Sequence, residues 1–120
     1  MPTDPSSSFI TNTRQEGNAV FADVACDVTT ANTPQVREDL MELVAAFKPA
    51  PLILDMHAVG YMDSSGLATL VEIKRALGEH ELVLMDLSKE VKGLMKIMNL
   101  HLLFRFADDQ ADALNRAGEA

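Results

Sequence analysis

Three short, almost unbroken apolar runs constrain this chain more than anything else in it: residues 52–56 (LILDM), 81–86 (ELVLMD) and 102–106 (LLFRF). Strands that are hydrophobic on both faces belong in a sheet covered on both sides, the usual setting of parallel strands. The segments between the runs have a different period. Val36, Leu40, Leu43, Val44 and Phe47 precede the first run. Leu67, Leu70, Val71, Ile73 and Leu77 follow it, and Val91, Leu94, Met95 and Met98 follow the second. Each set recurs every three or four residues and so makes one face of a helix. Strand and helix in alternation predict parallel strands joined by right-handed crossovers.

The remaining elements follow from local signals. Residues 9–13 and 19–26 read as two strands of a hairpin, because Gly17 and Asn18 tolerate the positive φ of a tight turn. Thr33 before Pro34 predicts a helix capped by the threonine, with the proline at its first position, and Pro49 and Pro51 end that helix. Gly78 suits the end of the second helix, and Ser88 suits the cap of a third that runs to about Asn99. Asp108 or Asp109 opens a closing helix through Ala111 and Leu114. The expected fold class is α/β: a small mixed sheet, N-terminal hairpin then parallel strands, covered by about four helices. Residues 1–8 (MPTDPSSS) read as a flexible leader and residues 9–120 as one domain. With 48% hydrophobic residues in 120, such a domain needs no metal or disulfide to hold it.

Charge and composition remove several function classes. The formal net charge of -8 repels nucleic acid and anionic lipid, so neither direct nucleic-acid binding nor membrane insertion is expected. No apolar stretch approaches the roughly 18 residues of a membrane span. Residues 1–8 lack the basic and apolar parts of a secretory signal, and Cys26 is the sole cysteine, which fits a cytoplasmic protein. His57, His80, His101 and Cys26 have no ligand spacing, so no metal and no cofactor is expected. Lys89, Lys92 and Lys96 share the solvated side of the third helix, while Met95 and Met98 sit at core spacing.

The segment richest in chemistry is Tyr61, Met62, Asp63, Ser64, Ser65, Gly66 and Leu67, between an apolar strand and an apolar helix. Ser and Asp at a strand-to-helix turn accept bonds from the free N–H groups of the first helical turn. The partial positive charge there also suits a phosphate attached to a serine, which the backbone donors would hold. Met62 is expected at the surface beside it. A serine nucleophile is the rival reading, but the Gly-x-Ser-x-Gly elbow is missing, and the chain is not expected to be an enzyme. Taken alone, the tetrapeptide reads as a helix cap with no further role.

Its flanks extend the reading. LILDMHAVGYMDSSGLATL, then LVLMDLSKEVKGLMKIMNLHLLFRF, resembles the anti-sigma factor antagonists of the STAS-domain family, and ACDVTTANTPQVREDL fits the family's hairpin and first helix. The resemblance implies a STAS-like fold and a non-catalytic regulator of transcription that works by partner switching. Ser64 matches the serine phosphorylated by an anti-sigma factor that is also a serine kinase. The unphosphorylated form binds that kinase and releases sigma; the phosphorylated form lets go, and a metal-dependent serine phosphatase resets it. The partner-binding residues implied are Asp27, Tyr61, Met62, Asp63, Ser64, Ser65 and Gly66. Cys26 stands where the family usually has glycine, so the turn beside Asp27 is expected to differ. An alternative within the family is a non-catalytic subunit of a lipid-transport or stress-sensing assembly.

Overall fold

The computed structural model describes residues 9–47 and 50–118. The proposed leader and the helix-ending Pro49 lie outside the described residues. The chain runs β1 (Ile10–Glu16), β2 (Ala19–Val24), α1 (Thr33–Ala46), β3 (Leu52–Asp55), α2 (Ser64–Leu77), β4 (Leu82–Met85), α3 (Lys89–Ile97), β5 (Arg105–Ala107) and α4 (Gln110–Ala117). The five strands form one sheet in the order β1-β2-β3-β4-β5. β1 and β2 are antiparallel and every later pair is parallel, the mixed sheet that the alternation predicts.

The hairpin closes with a two-residue loop, Gly17 and Asn18, in which Gly17 takes φ 61°. Glycine at the first position of such a loop suits the turns whose twist matches paired strands. β1 is therefore longer than expected, pairing as far as Glu16 against Ala19, with a bulge between Thr11 and Arg14 where Asn12 has φ 53°.

Side chains alternate across the central strands and divide the core in two. Val20, Ala22, Val24, Leu52, Leu54, Leu82 and Leu84 face α1, α2 and α3, meeting Leu40, Leu43, Leu67, Leu70, Ile73, Val91 and Met95. Phe21, Ile53, Val83 and Met85 face the other way, onto Ala113 and Ala117 of α4. Covered on both faces, these strands have no polar side, which is why their sequences run apolar without interruption.

Three boundaries depart from expectation. Asn32, not Thr33, precedes the first turn of α1, and its side chain does not cap the helix. It turns back instead, accepting from the Thr29 N–H at 3.0 Å and donating to the Asp27 carbonyl at 2.8 Å. α3 stops at Ile97, because Asn99 adopts φ 57° and the Leu100 N–H reaches the Met95 carbonyl at 2.8 Å. This left-handed closure leaves Met98 outside the core at 42% exposure, against the expectation from its spacing. The last strand begins only at Arg105, since a turn from Leu100 to Leu103 takes the residues before it.

Candidate functional site

The sheet delivers two loops to one end, β2–α1 and β3–α2, and backbone bonds clasp them together. The Val28 N–H donates to the Tyr61 carbonyl at 3.1 Å and the Asp63 N–H to the Val28 carbonyl at 3.2 Å, an isolated parallel bridge between Val28 and Met62. Asp27 Oδ1 accepts from the N–H groups of Gly60 and Tyr61 at 2.8 and 3.1 Å. Beneath them Gly66 is packed so closely that a Cβ there would lie 2.9 Å from the Val28 carbonyl oxygen. Glycine is required at that position by a close approach of two backbones.

On this platform α2 begins. Asp63 is its N-cap, and both carboxylate oxygens are engaged. Oδ1 accepts from the N–H groups of Ser65 and Gly66 at 3.0 and 3.1 Å and from the Ser65 hydroxyl. Oδ2 accepts from the N–H and hydroxyl of Thr30 at 2.9 and 3.1 Å. The Ser65 hydroxyl, foremost, and the Thr30 N–H hold the Asp63 carboxyl at about 2, well below its ordinary value. Asp63 is thus a fixed negative charge that ties the β2–α1 loop to the head of α2.

Ser64 is the first residue of α2 and is exposed, and its hydroxyl makes no hydrogen bond within the described residues. Ser65 differs in every respect: it is half-buried, its hydroxyl is bound to Asp63, and Thr30 Oγ1 lies 3.4 Å away. The two serines of the motif are therefore chemically distinct, one available and one committed. The N–H groups of Ser65 and Gly66, expected to hold a phosphate on Ser64, are already occupied by Asp63.

The expected site residues separate into surface and support. Tyr61 stands out at 54% exposure, next to the exposed Ser64 and Asp27. Met62 is 1% exposed, so the expectation of a surface methionine is corrected: in a strand-like bridge, side chains alternate, and Met62 points inward while Tyr61 points out. Gly66 is likewise buried and shapes the loop rather than the surface. Cys26 needs no glycine-like backbone, since it is not among the residues of positive φ, and Asp27 keeps its bonds to the β3–α2 loop. Burial, then the Asp27 charge, pushes the Cys26 thiol up, which favours its protonated form at neutral pH.

His57 bonds Asp55 Oδ1 through Nδ1 at 2.7 Å, and that bond raises its pKa. It is not hydrogen-bonded to Ser64. No group of three or more His, Cys, Asp or Glu among them is arranged to hold a metal ion, and no helix is long and apolar enough to cross a membrane. Thr30, Val28 and Asn32 are the organising residues that sequence reasoning missed. The polar stretch 27–32 signals a loop, but nothing local says that its partner is a turn more than thirty residues away.

A family model settles the classification: that of the STAS domain matches residues 11–113. The chain belongs to the STAS domain family. Among solved structures, an anti-sigma-factor antagonist (STAS) domain protein from Planctomyces limnophilus superposes with a TM-score of 0.81 at 14% identity, over 92% of this chain and 98% of that one. The Bacillus cell fate determinant SpoIIAA in its phosphorylated form gives 0.64 at 15% identity, over 88% and 96%. The murine Solute Carrier 26 family member A9 anion transporter gives 0.70 at 16% identity, over 87% of this chain and 18% of that one. At these identities the likeness is one of fold, shared with two solved chains that it covers almost entirely and with a transporter of which it covers a small part.

Proposed function

We infer that this STAS domain is an anti-sigma factor antagonist that acts in the cytoplasm by partner switching, with Ser64 as its phosphorylated residue. Unphosphorylated, it binds an anti-sigma serine kinase through the face bearing Tyr61, Ser64 and Asp27, and so frees sigma. Phosphorylation of Ser64 releases it, and a metal-dependent serine phosphatase restores it. The observation that carries the reading is the asymmetry of the two serines: Ser64 is exposed and unbonded at the head of α2, while Ser65 is bound to Asp63.

The geometry supports a switch by charge alone. A phosphoryl group adds about -1.5 to -2 charge beside an Asp63 that stays ionised. With the N–H groups of Ser65 and Gly66 taken, the new anion projects toward the partner with little compensation from the helix start. A penalty of roughly 3 kcal/mol at the interface weakens binding about a hundredfold.

Incubation with an anti-sigma serine kinase and magnesium ATP should label Ser64, with the label lost in Ser64→Ala and kept in Ser65→Ala. Ser64→Asp should bind the kinase more weakly. Labelling that persists in Ser64→Ala would refute the site.

A further inference from the structure

Most arginines of this chain are matched by a carboxylate. Arg14 pairs with Glu16 at 2.8 Å, Arg37 with Glu72 at 2.6 Å, Arg105 with Glu81 at 3.5 Å and Arg116 with Asp112 at 3.3 Å. Lys74 donates to the carbonyls of Gly78 and His80. Lys92 and Lys96 differ, as Lys89 and Arg75 do: among the described residues none of them has an ion pair or a side-chain hydrogen bond, in a chain with 18 Asp and Glu against 10 Lys and Arg. Four residues apart on α3, they form one wall of a hollow of about 190 Å³, completed by His101 and Phe106. No acidic residue lines it.

A second observation concerns a residue of the same wall. His101 Nδ1 is shielded from water and has no hydrogen-bond partner. Such orphaned ring nitrogens are uncommon in folded proteins and mark a place where a partner is missing. The Phe106 ring is only half-buried and offers an aromatic face to the same hollow. Lysine side chains lay their apolar stems along such a wall and keep their charge at its rim. An apolar hollow with a few convergent polar groups is the usual form of a small-molecule site. Its volume exceeds the roughly 150 Å³ of a cavity that accepts benzene.

We propose that this hollow binds a small organic anion, its aryl or short acyl body against Phe106 and the lysine stems. Its carboxylate or phosphate lies between the ammonium groups of Lys92 and Lys96, and His101 turns to donate to it. The site shares no residue with the face around Ser64, so it stands or falls independently of the switch.

Phenyl phosphate is a suitable probe, titrated into the full chain and followed by amide chemical shifts. Saturable shifts confined to α3, β5 and their connection are expected, with a dissociation constant of about 1 mM. Inorganic phosphate lacks the ring and benzyl alcohol lacks the charge; each should bind at least about tenfold more weakly. Benzoate is run alongside, and tighter binding of either aryl anion supports the site and names the anionic group. Lys92→Glu with Lys96→Glu changes only exposed side chains, so the variant should keep its fold and lose at least about tenfold in affinity. Lys96→Gln, which merely removes one charge, should show a smaller loss in the same direction. Shifts that do not saturate, shifts centred elsewhere, inorganic phosphate binding as tightly as phenyl phosphate, or a double variant that binds like the wild type would each overturn the proposal.

Discussion

Gly66→Ala is the smallest change that tests how the candidate site is built. The added methyl would meet the Val28 carbonyl oxygen at 2.9 Å, Met62 Cε at 3.0 Å and Val28 Cγ1 at 3.1 Å. The methionine end is flexible, but the carbonyl belongs to the bridge that clasps the two loops and accepts the Asp63 N–H. Overpacking of this kind costs about 1–3 kcal/mol. Replacing glycine by alanine in a helix returns up to about 1 kcal/mol, and less in the first turn. With about 0.5 kcal/mol returned there, the net loss is roughly 0.5–2.5 kcal/mol. For 120 residues the unfolding entropy is roughly 0.25 kcal/mol/K, which converts that loss to a drop in Tm of about 2–10 °C. Gly93→Ala is the internal control. It sits within α3 with no atom within 4 Å of a built Cβ, so there only the helix preference acts, and Tm should rise by up to about 4 °C. Thermal unfolding followed by circular dichroism compares the three proteins. A Gly66→Ala protein as stable as the wild type would refute the close approach, and with it the account of how α2 is docked.

Three further substitutions test the parts around it. Asp63 is held at about 2 against an ordinary 3.8, so its folded-state pKa lies below the unfolded one. The stability it contributes is present above about pH 3.8 and lost as pH falls toward 2; the Tm difference between wild type and Asp63→Ala should shrink across that window, and a difference unchanged there would count against the carboxylate as the clasp. Met62→Ala removes a fully buried side chain and should cost about 2–5 kcal/mol, whereas Tyr61→Ala should change stability by under about 0.5 kcal/mol and, on the proposed function, weaken binding of the kinase instead; comparable losses of stability from both would contradict the inward and outward assignment.

What could be read from the sequence was what local rules decide. The apolar runs 52–56 and 81–86 hold strands because both faces of the sheet are covered, whereas only Arg105 and Phe106 of the run 102–106 join β5; Ser88 and Asp109 cap their helices by accepting the N–H groups of Val91 and Asp112. Asp63, one residue before Ser64, is a cap for the same reason. The failures are places where a distant segment overrides a local preference. Asn32 and Thr33 both have cap-forming side chains, but the Asp27 carbonyl and the Thr29 N–H take the asparagine. Met98 has core spacing, but Asn99 turns the chain before the core is reached. Met62 lies in a loop, where exposure is the default, and only the bridge to Val28 assigns it to the interior.

The same long-range clasp bears on how a modification of Ser64 would act. A phosphate placed at a helix start usually reorders its surroundings by capturing free N–H groups. Here the N–H groups of Ser65 and Gly66 are held by an Asp63 carboxylate that stays charged down to about pH 2, and Thr30 holds its other oxygen. Displacing Asp63 would mean breaking five hydrogen bonds to form at most a few. A phosphorylated Ser64 therefore leaves the loops where they are and adds its charge at the surface. On the proposed function, the difference between the two states is carried by the field at the partner's interface, and raising the salt concentration should narrow the gap in kinase affinity between wild type and Ser64→Asp. A gap that holds constant with salt would place the effect in the shape of the loop instead.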